Sequence, residues 1–133
     1  MYKKLLPIIK DGCVTELKTL SANYPEPLRQ RILKECGAAL RENENFERAV
    51  KRGEVLLYHI ALEEALDAYL QALFALNRAL FPSRKRSLKF IRTFSVKPDQ
   101  VEERLLQAIR LGAEAETLKE SYEIWQGLCS DLL

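Results

Sequence analysis

The sequence predicts an all-α fold, an up-and-down antiparallel bundle of four main helices with short extra helices. Apolar residues recur at threes and fours through several long segments. No alternating run of four to eight residues with turn residues at both ends reads as a strand. The periodic segments are joined by short connections, which makes successive helices antiparallel neighbours. At 47% apolar and 30% charged over 133 residues, with five Gly and five Pro, the chain suits one domain, residues 1–133, and excludes disordered or collagen-like classes.

Residues 1–12 read as an irregular lead with a turn at Asp11-Gly12. Thr15 caps a short helix to about Ser21. Pro25-Glu26-Pro27 then breaks the chain and opens a long helix, because a proline in the first turn needs no N–H partner. Its inward positions are Leu28, Ile32, Cys36, Ala39, Leu40, Phe46, Ala49 and Val50. It is expected to run to about Arg52, with Gly53 as its stop. The next helix, Glu54 to about Leu80, carries a stripe of Val55, Leu62, Leu66, Tyr69, Leu73, Leu76 and Leu80, widened by Ile60, Leu70 and Phe74. Pro82 ends it, and Ser83 is placed to cap a short helix with Leu88, Phe90, Ile91 and Phe94. Lys97-Pro98-Asp99 starts another helix, with Val101, Leu105, Leu106 and Ile109 inside and Gly112 as C-cap. The last, about Ala113 to Leu132, buries Leu118, Tyr122, Trp125, Leu128 and Cys129.

The segment from Met1 to Pro7 is too short in apolar residues for a secretion signal. The longest apolar stretch, 55–81, contains Glu63, Glu64 and Asp67, so it reads as a buried helix and no membrane partner is expected. Cys13, Cys36 and Cys129 are odd in number and widely spaced. Unpaired thiols without a signal point to the cytoplasm.

Charge is uneven. Residues 1–67 carry eleven bases and eleven acids; residues 68–98 carry Arg78, Arg84, Lys85, Arg86, Lys89, Arg92 and Lys97 with no acid; residues 99–133 carry eight acids against three bases. Two readings stand side by side: a basic half neutralised by an acidic half, or an anion site at Arg84-Lys85-Arg86, beside a helix start at Pro82-Ser83. Metal binding is not expected, since one His and scattered Cys supply no ligand cluster. No cofactor loop and no catalytic residue is assigned, because the glycines stand singly and nothing places a nucleophile beside His59. His59 follows Arg52 by about two helical turns, with Gly53 between them. Asn77, an amide in an apolar run, is either a hydrogen-bond anchor or a ligand contact.

Gln71-Ala72-Leu73-Phe74-Ala75-Leu76-Asn77, followed by Phe81-Pro82-Ser83-Arg84-Lys85-Arg86, carries a resemblance, with Arg110-Leu111-Gly112 and the aromatic last helix. Together these segments resemble a helical domain of unknown function found C-terminal to polymerase-β-type nucleotidyltransferase domains. That domain is related to the substrate-binding bundles of antibiotic nucleotidyltransferases and to the HEPN nucleotide-binding bundles. The resemblance covers about residues 11–130 and makes residues 1–12 a remnant of a preceding catalytic domain. It implies a non-catalytic accessory or substrate-binding domain whose partner is a nucleotidyltransferase catalytic domain or chain. Asn77, Arg84, Lys85, Arg86 and His59 are then the candidate ligand-binding residues, for a nucleotide or other phosphorylated ligand. The transferase Gly-Ser motif and paired-carboxylate strand are absent, so transfer by this chain alone is not expected. The alternatives are a dimeric, antitoxin-like interaction module and an HEPN-type ribonuclease built on Arg52 and His59.

Overall fold

Pro25 is extended and Pro27 lies in the first turn that follows, so the chain enters its first described helix where the two prolines allow it. The structure is a computed structural model that describes residues 24–133. The lead over 1–12, Cys13 and the helix from Thr15 lie outside the described residues. Those described form an all-α fold without strands. The elements are α1 (Glu26–Leu40), α2 (Glu44–Arg52), α3 (Val55–Leu76), α4 (Ser87–Ile91), α5 (Val101–Leu111) and α6 (Leu118–Leu132), with a 3-10 turn at Ala115–Thr117.

The expected helix from Pro25 to Arg52 is two helices. The chain turns at Arg41-Glu42-Asn43, where the Glu42 N–H reaches back to the Ala39 carbonyl, and α2 starts after Asn43. Asn43 and Asn45 are weak helix formers whose side chains compete for the backbone. The turn lets Phe46 and Ala49 enter the main core, and Ala39, expected inside, stays exposed. Gly53 stops α2 as expected, in the left-handed region at φ 65°.

Helix α3 spans 22 residues, about 33 Å, and organises the rest. The start of α1 (Leu28, Ile32) packs with Ala72 and Ala75 near the end of α3, so these helices are antiparallel. Helices α5 and α6 are also antiparallel: Ser121, early in α6, bonds the Ala108 carbonyl late in α5, while Arg104 pairs with Asp131 at the other end. Helix α6 runs in the same direction as α3, with Tyr58 against Ser121 and Tyr69 beside Leu128. Between the two hairpins sits an aromatic cluster. Phe46 stacks on Tyr122 at 5.3 Å and meets Tyr58 edge-on at 5.4 Å, and Tyr69 lies 5.2 Å from Trp125. Trp125, Tyr58 and Tyr69 are fully buried, and aromatic burial of this extent dominates the energetics of a core.

Other boundaries move too. Helix α3 ends at Leu76 rather than near Leu80, α5 starts at Val101, and α6 starts at Leu118 after the 3-10 turn. Besides Ala39, three apolar positions expected inside face out: Ile60 is 56% exposed, and Leu106 and Ile109 are each 38% exposed. Among the described residues, no helix is long and apolar enough to cross a membrane.

Candidate functional site

The predicted site residues fall on or beside the connection between α3 and α5, residues 77–100, except His59. Below, this connection is fastened by rings. Phe81, Phe90 and Phe94 all pack edge-on against Phe74 of α3, with centroids 5.1, 6.2 and 4.8 Å away and planes inclined at 65°, 74° and 87°. Edge-to-face packing from three loop positions onto one helical ring fixes both arms of the loop.

Asn77 closes its base. The side-chain amide donates to the Leu73 carbonyl at 2.9 Å and the Val96 carbonyl at 2.7 Å, and its oxygen accepts the Val96 N–H at 3.0 Å. One bond satisfies an orphan carbonyl at the end of α3; the other two pair with Val96 as a neighbouring strand would. Of the two roles open to Asn77, the hydrogen-bond anchor is the one its partners fill, because both donors are committed.

Arg84 is committed as well. Its Nε donates to Asp67 at 2.6 Å, Nη1 to the Glu63 carboxylate at 2.5 Å, and Nη2 to the Glu63 carbonyl at 2.7 Å. Its pKa is raised, first by the Asp67 bond and then by the Glu63 bond. An incoming anion would meet two carboxylates there. Of the three-residue basic block expected from the sequence, the first member is thus tied to α3.

The remaining cations divide cleanly. Arg78 pairs with Glu26 at 3.0 Å, holding that carboxyl below its usual range. Arg92 pairs with Glu102, which it lowers likewise. The Lys97 ammonium donates to the carbonyls of Ile91 and Arg92 at the end of α4. Lys85, Arg86 and Lys89 are exposed, and among the described residues no carboxylate pairs with them. The basic segment is thus partly neutralised, mainly by α1 and α3 and only through Glu102 by the acidic C-terminal part.

Local backbone shapes this edge. Ser83 does not cap a helix as expected. Its hydroxyl accepts the Lys85 N–H at 3.2 Å within the turn, and α4 begins only at Ser87. Arg86 sits just before it in the left-handed region at φ 63°, a conformation disfavoured for a residue with a side chain. Sequence reasoning counts Lys89 in the basic segment without singling it out, and no helical spacing marks it, because Lys85 precedes α4 and the left-handed Arg86 separates them.

His59 lies elsewhere, half-buried in the first turns of α3. Arg52 ends α2, approaches Glu54 at 3.9 Å, and is separated from His59 by the left-handed Gly53. The unbroken face that would bring Arg52 and His59 together is absent. Among the described residues, no group of three or more His, Cys, Asp or Glu is placed to hold a metal ion. A cleft of about 580 Å³ over Phe46, Ala61 and Ala65 is rimmed by Glu42, Glu44 and Glu64, and none of the predicted site residues lines it.

A search of the curated proteins and another of the solved structures find no significant match. Residues 8–86 match a protein family described as Domain of unknown function (DUF4037). The match covers more than half of the chain, including α1, α2, α3 and the basic block through Arg86.

Proposed function

The chain belongs to the DUF4037 family, and we propose that it is a non-catalytic helical domain that holds the phosphate groups of a nucleotide for a nucleotidyltransferase catalytic domain. The observation that carries this reading is the set of three exposed cations, Lys85, Arg86 and Lys89, free of carboxylate partners among the described residues on a fastened loop. Two of them fall within the block that resembles nucleotidyltransferase-associated bundles. Hydrogen bonds to charged groups contribute about 1.5–3 kcal/mol each, so a few such contacts suffice for useful affinity. Asn77 and Arg84 support the loop in this reading and do not touch the ligand. His59 has no part in this reading; it and Arg52 lie on different helices, either side of the left-handed Gly53.

The test is nucleoside triphosphate binding to the full chain, alone and with any nucleotidyltransferase chain that a tagged copy captures from source-cell lysate. Lys85→Glu/Arg86→Glu/Lys89→Glu is expected to weaken binding by at least about tenfold. Its thermal midpoint should stay near wild type, because exposed unpaired side chains contribute little to stability. Equal loss of binding and stability, or no change in binding, rejects the proposal.

One observation favours a second reading, a dimeric interaction module. Leu56 is 83% and Ile60 56% exposed, one turn apart on the same face of α3.

A further inference from the structure

We propose that Arg84, held by Glu63 and Asp67, is a positioning residue that fixes Lys85, Arg86 and Lys89 as a preformed edge for a chain of phosphates. This rests on the phosphate-binding reading above and adds to it the two α3 acids, which make the edge rather than oppose it.

Every nitrogen of the Arg84 guanidinium has an oxygen partner: Asp67 for Nε, the Glu63 carboxylate for Nη1 and the Glu63 carbonyl for Nη2. A planar fork filled in this way has one geometry, which a lysine cannot reproduce. The lock sits immediately before the exposed cations. On their other side, Phe90 and Phe94 are pinned on Phe74, and Asn77 ties Val96 to the end of α3. Between these fastenings the chain passes through Arg86 in the left-handed region. Unusual backbone of this kind persists where the surroundings over-determine it, and it gathers at binding sites.

The Arg84 pairs are substantially exposed, and pairs of that kind add little to stability. Their effect is to remove freedom from the loop before a ligand arrives, and ordering cost avoided on binding appears as affinity.

Charge and position predict opposite signs, which makes the inference testable. Glu63→Ala/Asp67→Ala deletes two negative charges and leaves Arg84 only the Glu63 carbonyl of its three acceptors. A patch acting through charge alone would bind an anion more tightly. A positioned edge binds it less tightly, by about tenfold if two or three side chains regain their freedom. The probe is inorganic triphosphate, titrated calorimetrically into the full chain at one fixed ionic strength. Arg84→Lys, which keeps the charge and loses the fork, is expected to weaken binding in the same direction. Circular dichroism melting shows whether each variant keeps the wild-type midpoint, as expected. Unchanged or tighter binding in either folded variant overturns the positioning role alone. Failure of the wild-type chain to bind triphosphate overturns the phosphate-binding reading, and this inference with it.

Discussion

A Cβ on Gly112 would lie 2.9 Å from Cε2 of Tyr58, 3.2 Å from the Ala108 carbonyl oxygen and 3.3 Å from the Ser121 hydroxyl. Those neighbours are joined: the Tyr58 hydroxyl meets Ser121 at 2.7 Å, and Ser121 donates to Ala108 at 2.5 Å, all of it buried. Gly112→Ala must displace the Tyr58 ring or break this chain of bonds. It is expected to cost about 1–3 kcal/mol, the range for overpacking, read as a lower urea midpoint with an unchanged slope. The sequence marked Gly112 as a helix stop and was right about the position. The reason differs, since its φ is −75° and no left-handed turn is needed. What requires glycine is a ring from a helix far away in the chain, which no local pattern reveals. Asn77 shows the opposite case: an amide in an apolar run signalled that a partner must exist, though its tie to Val96 is set by how the loop returns.

Helix α3 carries an apolar stripe wide enough to be covered on more than one side, and from Tyr69 to Ala75 it is. One face of its first half is not: Leu56 and Ile60 stand uncovered there, in line with the exposed Glu63 and Asp67, while Tyr58, Ala61 and Leu62 face the core. Periodicity locates an apolar stripe but does not show where covering helices stop, and the same limit explains the exposed Leu106 and Ile109 of α5. Leu56→Ser/Ile60→Ser separates the two functional readings. It is expected to change stability by no more than about 0.5 kcal/mol per site, as for surface positions. If the dimeric reading holds, it converts a dimer to a monomer in sedimentation velocity and removes the concentration dependence of melting. If the phosphate-binding reading holds without it, both proteins sediment alike. The break at Arg41–Asn43 was legible in composition, in two asparagines beside charged residues, but an apolar period continuing through Phe46, Ala49 and Val50 hid it.

Over the whole molecule, burial sets how stability responds to pH. It pushes the Cys129 thiol up to about 12, and raises Cys36, Tyr58, Tyr69 and Tyr122 in the same direction. A group with a raised folded pKa keeps its contribution below its unfolded value and loses it as pH climbs toward the folded one. Stability is therefore expected to fall between about pH 9 and 12, with Cys129 alone supplying a slope near 1.4 kcal/mol per pH unit and the tyrosines steepening it. Urea midpoints taken between pH 8 and 10.5 check this, and Cys129→Ala should flatten the early part of the decline. At the acid end the sign reverses. Glu26 and Glu102 are lowered by Arg78 and Arg92, so their contribution fades as pH falls through the carboxylate range.

Phe90 touches both apolar clusters, the main one around Phe74 and Trp125 and the smaller one of Tyr24, Leu28, Ile32 and Cys36. Cooperative opening follows such shared contacts, so the two halves do not breathe independently. Loosening of the smaller cluster is therefore expected to loosen the packing of Phe90, and the basic loop with it. If the loop takes an anion as proposed, bound triphosphate is expected to raise amide-exchange protection in α1 as well as in the loop itself.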